Sequence, residues 1–262
     1  HELFSVKKRI KKLYNLPFKY YQTKYFTYVY RCNERRFSYI KKSVELFYKS
    51  IYKKYFIYNL KTGITLVLFK NFNELKQKTG LAILGKYDSP TNSITSYANT
   101  GIGTIWHELI HAFIDANLYF KDRPPQQWFN EGLASFYEYA VFSNGKIVGG
   151  FANWRMPRLH FLIRTNRFGH LSRLMMRLGL MEQYGYSKAR FIFCYLYSHG
   201  KIEEYVKYYL YKLMPKYEGF VLGKQAIKAL EKIMNKDINT INSEYKRLAM
   251  KLYPGNKLPQ KY

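Results

Sequence analysis

The first hundred residues and the rest of the chain follow different periodicities, and that division constrains the fold more than any other feature. Residues 26–31 (F-T-Y-V-Y-R) and Ile64–Phe69 (I-T-L-V-L-F) are rich in the β-branched and aromatic side chains that suit a pleated, buried surface. A long basic segment over residues 35–55 separates them, so the order reads strand, helix, strand. Asn71 is placed to cap a short helix through Lys78. Gly85, Asp88, Pro90 and Asn92 then punctuate a turn before Ser93–Tyr97 (S-I-T-S-Y), which reads as an edge strand. From Thr104 the pattern is helical almost to the end, with stretches near 104–118, 127–142, 153–165, 184–198, 201–214, 223–234 and 238–252. A small mixed β-sheet in the N-terminal half and a mainly α-helical C-terminal half make an α+β arrangement. The expected subdomains are 1–120 and 121–262, flanking a cleft, with no repeat, low-complexity tract or linker between them.

With 262 residues, 47% hydrophobic and 19% aromatic, the chain is long and apolar enough to bury a sizeable core, which excludes a disordered segment. No apolar run approaches the ~18 residues that a bilayer-spanning helix needs, so no transmembrane segment is expected. The chain begins with His1, which fits either a removed signal peptide or a trimmed sequence, and the expected location is secreted or extracytoplasmic. Cys32 and Cys194 lack the C-x-x-C spacing of a zinc knuckle or redox motif; they read as two buried thiols or, in an exported protein, one disulfide. The 44 Lys+Arg against 17 Asp+Glu leave a net charge of +27, a surface that attracts nucleic acid, other polyanions, acidic peptides or an acidic membrane surface.

The chemistry lies at T-I-W-H-E-L-I-H-A-F-I-D, residues 104–115, where His107, Glu108 and His111 form H-E-x-x-H. Positions i and i+4 share a helix face, so two imidazoles can reach one ion while Glu108 stands beside it as a base. The bland reading is two histidines packed on an amphipathic helix. Downstream, W-F-N-E-G-L-A-S-F-Y-E (residues 128–138) places Glu131 on what reads as the next helix, where it can complete three protein ligands and leave a position for water. Five of the 17 acidic residues (Glu108, Asp115, Asp122, Glu131 and Glu138) fall within the 31 residues 108–138, more than an even spread would give. A cation at their centre would stabilise such a concentration.

In these two motifs the chain resembles the gluzincins, the zinc peptidases that include thermolysin-like enzymes and aminopeptidases related to leukotriene hydrolase. Trp128, Asn130, Glu131, Gly132 and Ala134 match that clan's W-x-N-E-G-x-A form. The resemblance covers about residues 104–196. It implies one Zn2+ held by His107, His111 and Glu131, with Glu108 as general base, acting on a peptide or protein substrate. It also implies a supporting role for Glu138, which lies two turns from Glu131 on one helix face and could fix the tautomer of a ligand imidazole; Asp115, one turn past His111, competes for that role. The metzincin pattern is excluded, because Ile114 and Asn117 stand where it needs Gly and His.

A hydrolytic site also needs a donor for the developing oxyanion. Residues 184–191 (Y-G-Y-S-K-A-R-F) resemble the Y-x-K-G segment of the aminopeptidase branch, which implies Tyr186 as that donor, although Ala189 stands in place of Gly. Tyr184, His160, His170 and His199 are the alternatives. Gluzincins commonly bind substrate as an added strand, which assigns substrate binding to Ser93, Ile94, Thr95, Ser96 and Tyr97. The G-x-M-E-N segment of the aminopeptidases is missing, with no carboxylate between Asp88 and Glu108, so the reading favours an endopeptidase. From Tyr139 to Met181 there is no Asp or Glu but there are six arginines (Arg155, Arg158, Arg164, Arg167, Arg173 and Arg177), which suggests acidic substrates or a solvated basic face. The competing class is a polyanion- or nucleic-acid-binding protein with a structural or degenerate zinc site. Hydrolysis of a non-peptide amide or an epoxide is a third reading.

Overall fold

All six residues of β3 (Ile64–Phe69) are buried, and neighbours covering both faces account for its unbroken run of apolar and β-branched residues. The structure, a computed structural model, describes residues 2–118, 120 and 122–258. It divides into two units, one built from the chain up to Lys49 with Tyr58–Ala116, the other from Ser50–Ile57 with the chain from Asn117 onward. The first is the mixed sheet with its helices and the second is mainly helical, giving the α+β class.

In the first unit five strands run in the order β1 (Lys19–Gln22), β2 (Phe26–Tyr30), β3, β5 (Ser93–Tyr97), β4 (Gly85–Asp88). The three central strands are parallel and the two outer ones antiparallel to their neighbours. Register puts Tyr28, Leu66 and Ile94 in one row across the sheet and Val29, Val67 and Thr95 in the next, so the rows face opposite sides. Val29 and Val67 join Val6 and Ile10 of α1 (Glu2–Tyr14) and Leu75 of α4 (Phe72–Thr79) in one cluster. α2 (Glu34–Phe47) is capped by Asn33 and buries Phe37, Ile40, Val44 and Phe47 at helical spacing. Its last ring stacks on Trp106 of α5 (Ile102–Ala116) with centroids 5.5 Å apart, so truncating Phe47 to Ala should cost about 3–5 kcal/mol.

Two expectations are corrected here. Ser93–Tyr97 is a strand but not an edge, because β3 and β4 pair on either side of it. The edge on that side of the sheet is Gly85–Asp88, expected as part of a turn; four residues with Gly and Asp among them carry little strand signal, and pairing with β5 holds them extended.

In the second unit, Tyr55 of α3 (Lys53–Tyr55) meets the Tyr137 hydroxyl at 2.6 Å, and the Tyr52 hydroxyl accepts from Asn117 at 2.8 Å. These bonds account for Ser50–Ile57 belonging with the later chain. α6 (Gln127–Tyr137) ends five residues before the expected 142, and a hairpin of β6 (Val141–Ser143) and β7 (Lys146–Val148) follows. Asn144 and Gly145 take positive φ at its two-residue turn, the local chemistry that overrides helix continuation. The rest is helical: α7 (Met156–Arg164), α8 (Leu171–Met175), α9 (Gln183–Ser198), α10 (Ile202–Tyr208), α11 (Gly219–Met234) and α12 (Ile238–Met250). The most extensive helix contact is α6 on α9. No helix among the described residues is long and apolar enough to cross a membrane. Both cysteines are free, Cys194 buried and Cys32 partly so.

Candidate metal centre

α5 is apolar on the face that packs in its own unit, burying Ile105, Leu109, Ala112 and Phe113, and this fixes where its polar side chains emerge. His107 and His111, one turn apart and half-buried, have ring centroids 4.8 Å apart with planes at 78°. Glu108 is buried at 8% exposure, unusual for a carboxylate that forms no ion pair among the described residues. Its Oε2 accepts the backbone N–H of Tyr87 on β4 at 2.8 Å. The close approach of strand and helix needs a glycine at 85, where an added Cβ would meet Thr104 Cγ2 at 2.9 Å and Glu108 Cγ at 3.1 Å.

Tyr87 holds a second carboxylate of the same helix. Its hydroxyl lies 3.0 Å from Asp115 Oδ2 and 3.0 Å from Asn92 Oδ1. Burial first, and then the Asp115 charge, push that hydroxyl well above the ordinary phenol range, so it stays a donor. Backbone and side chain of one edge-strand residue therefore fix two α5 carboxylates. Sequence reasoning missed Tyr87, and among 28 tyrosines it carries no distinguishing signal.

In the second unit Glu131 stands on α6 in the motif whose other members set the helix. Trp128 is buried and donates from Nε1 to Gln126 Oε1 at 3.1 Å, and Phe129 stacks on Tyr209 with centroids 3.8 Å apart. At Gly132 an added Cβ would meet Phe193 Cε2 at 2.6 Å and the Ala189 carbonyl oxygen at 2.7 Å, so α6 and α9 touch through their backbones. Ala189 is small enough for that contact. The contact sets Glu131 near Tyr186, one turn before Ala189 on α9. The Tyr186 hydroxyl is raised above its ordinary pKa by partial burial and by the Glu131 charge, with Arg155 opposing.

Glu138 grips Arg155 through both oxygens, at 2.9 Å to Nε and 2.6 Å to Nη2, and the Arg155 guanidinium lies 5.6 Å from the Tyr186 ring centre. Glu138 is thus tied through Arg155 to the proposed donor, a link its spacing from Glu131 did not suggest. Glu131 and Asn130 also open on a cavity of about 570 Å3, walled in part by Arg177, Leu178 and Leu180.

Among the alternatives to Tyr186, Tyr184 carries the Arg158 guanidinium 3.6 Å above its ring and lines a different cavity. His160 is buried with Nε2 2.8 Å from the Ala249 carbonyl oxygen. His199 caps the far end of α9, about 20 Å along the helix from Tyr186. A further residue missed in the sequence is Arg190, buried on α9, which donates to the carbonyls of Ser135 at 2.9 Å and Phe151 at 2.5 Å and ties α6 to the segment after the hairpin.

His107, His111 and Glu131 form a group that could hold a metal ion: each offers one ligand atom, and these atoms all lie within 4.8 Å of one another. Two imidazoles and a carboxylate are a donor set that suits a divalent transition-metal ion and would leave a coordination position open. Ser93–Tyr97 lies inside the sheet, with no backbone edge to offer a peptide; the outer side of β4 has that property. Compared with known proteins, the chain is matched by no family model and by no curated sequence.

Proposed function

We propose that this protein is a single-zinc peptidase of the gluzincin type, cutting within peptide chains. The observation that carries the reading is the grouping of the His107, His111 and Glu131 ligand atoms, with a buried carboxylate, Glu108, one residue along the helix from His107. A zinc ion held by the three would act as a Lewis acid and bring a bound water to a pKa of ~7.

The chain's own groups supply the rest. Glu108, anchored at Oε2 by the Tyr87 amide, offers Oε1 to take a proton from water and return it to the leaving amine. Tyr186, kept protonated by burial and by the Glu131 charge, can donate to the developing oxyanion, with Arg155 and Glu138 fixing its surroundings. An extended peptide would pair with the outer side of Gly85–Asp88, where main-chain hydrogen bonds tolerate many side chains. The chain has no carboxylate between Asp88 and Glu108 to anchor a free amine, which supports cleavage away from the ends.

A structural zinc site in a polyanion-binding protein has no use for a buried base, and that separates the two readings. Replacing Glu108 by Gln should abolish peptide cleavage, by about 10²–10⁴-fold, with zinc content unchanged. Wild-type protein that holds zinc but cleaves no peptide library would refute the catalytic reading.

A further inference from the structure

The acid-free, arginine-rich stretch before α9 builds a second site. Arg167, Arg173 and Arg177, with Lys188 of α9, line a cavity of about 340 Å3 whose walls also carry Phe161 and Phe168. Its one lining carboxylate, Glu182, is exposed and pairs with Arg177 at 3.1 Å. Lys188 is half-buried and its Nζ donates to the Phe168 carbonyl at 2.5 Å, yet it pairs with no carboxylate among the described residues. Burial lowers its pKa, Glu182 opposes, and the positive charges of Lys246 and Arg177 lower it further, so positive potential here is only partly compensated.

His170 sharpens the chemistry. It caps α8, with Nδ1 3.3 Å from the Ser172 N–H and 2.7 Å from the Ser172 hydroxyl; with Nδ1 accepting from both, the neutral ring carries its proton on Nε2. That Nε2 is buried, lacks a hydrogen-bond partner among the described residues, and belongs to a residue lining the same cavity. A buried donor left unmatched is costly, so an acceptor brought to it gains more than it would on an open surface.

We propose that this cavity binds a small organic phosphate, its phosphate among Arg167, Arg173, Lys188 and His170 Nε2 and its apolar body against Phe161 and Phe168. The donors outnumber what the two oxygens of a carboxylate can accept, whereas a phosphate offers three terminal oxygens and up to two charges. Guanidinium groups suit such oxyanions by their paired N–H geometry. The cavity has the size of a small-molecule site, in the range of ~300–1,000 Å3. The inference does not depend on the metal group, and its test uses no peptidase activity.

Phenyl phosphate, inorganic phosphate and phenol are titrated calorimetrically into the full chain at physiological salt. Phenyl phosphate binds one per chain, inorganic phosphate binds more weakly and phenol does not bind. Arg173→Gln and Lys188→Gln each weaken phenyl phosphate by about tenfold or more. His170→Asn weakens it several-fold, because Asn preserves the α8 cap but cannot present Nε2–H. Lys8→Gln, at an exposed position of α1, leaves it unchanged and controls for general attraction to a basic protein. Because Arg173 is exposed, its variant folds even if Lys188→Gln does not. No saturable binding of phenyl phosphate, equal affinity for inorganic phosphate, or an equal loss in Lys8→Gln would overturn the proposal.

Discussion

A single methyl group at Gly132 tests whether α6 and α9 are held by backbone contact. Ala is favoured over Gly inside a helix by about 1 kcal/mol, so propensity alone predicts that Gly132→Ala stabilises the protein. The structure predicts the opposite. The new Cβ would sit 2.7 Å from the Ala189 carbonyl oxygen and 2.6 Å from Phe193 Cε2, where ordinary contacts begin at 3.4 Å. The Phe193 ring can swing, but the carbonyl belongs to a helix, so α6 and α9 must part by several tenths of an ångström. Overpacking of this kind costs about 1–3 kcal/mol, leaving a net loss of up to about 2 kcal/mol after the propensity gain. Urea denaturation measures it directly, with Gly101→Ala as control, since nothing lies within 4 Å of a Cβ there. Parting the helices also moves Glu131 relative to Tyr186, so kcat of any peptidase activity falls in the variant. A Gly132→Ala protein stabilised by the full propensity gain of about 1 kcal/mol would refute the backbone contact.

Three other outcomes follow from the same geometry. Gly85→Ala should lower peptidase kcat about tenfold or more with little change in zinc content, because a Cβ presses on Thr104 and on the stem of Glu108; single-turnover cleavage checks it. Tyr186→Phe should lower kcat/KM by about 10²-fold with KM nearly unchanged, as expected for a donor that acts in the transition state; steady-state kinetics on one peptide decides. Glu244 is pushed up by burial, but hydrogen bonds from Lys236 and Tyr195 and the Lys236 charge outweigh this, so its folded pKa lies below the ordinary 4.5. A depressed carboxylate stabilises the fold above its unfolded pKa and loses that contribution as pH falls. The Tm gap between wild type and Glu244→Gln should therefore be full near neutrality and close below about pH 4.5, and a gap independent of pH would count against it.

Much of this was legible because single elements announce themselves. I-T-L-V-L-F reads as a buried strand and is one, and the helix over 104–118 falls at Ile102–Ala116, since its apolar face repeats at helical spacing. His107, His111 and Glu131 were readable because residue types and spacing encode a donor set. What was hidden depends on partners distant in sequence. Gly85–Asp88 is a strand only because β5 pairs with it, and Ser93–Tyr97 lost its edge for the same reason. The hairpin did have a local signal, Asn144-Gly145, but the apolar periodicity running through 142 masked it. Tyr87, Arg190 and the Nε2 of His170 matter through where their hydrogen bonds go or fail to go, which no window of sequence contains.

The central claim is that His107, His111 and Glu131 hold one catalytic ion, and its coordination can be measured. Zinc quantified by elemental analysis, with X-ray absorption at its edge, should give one ion per chain bound by two imidazoles and an oxygen shell that holds the carboxylate and a water. Glu131→Ala should weaken zinc binding at least tenfold and strip the carboxylate from that shell. A protein that takes up no divalent cation, or one whose zinc affinity and coordination are the same in Glu131→Ala, would contradict the account.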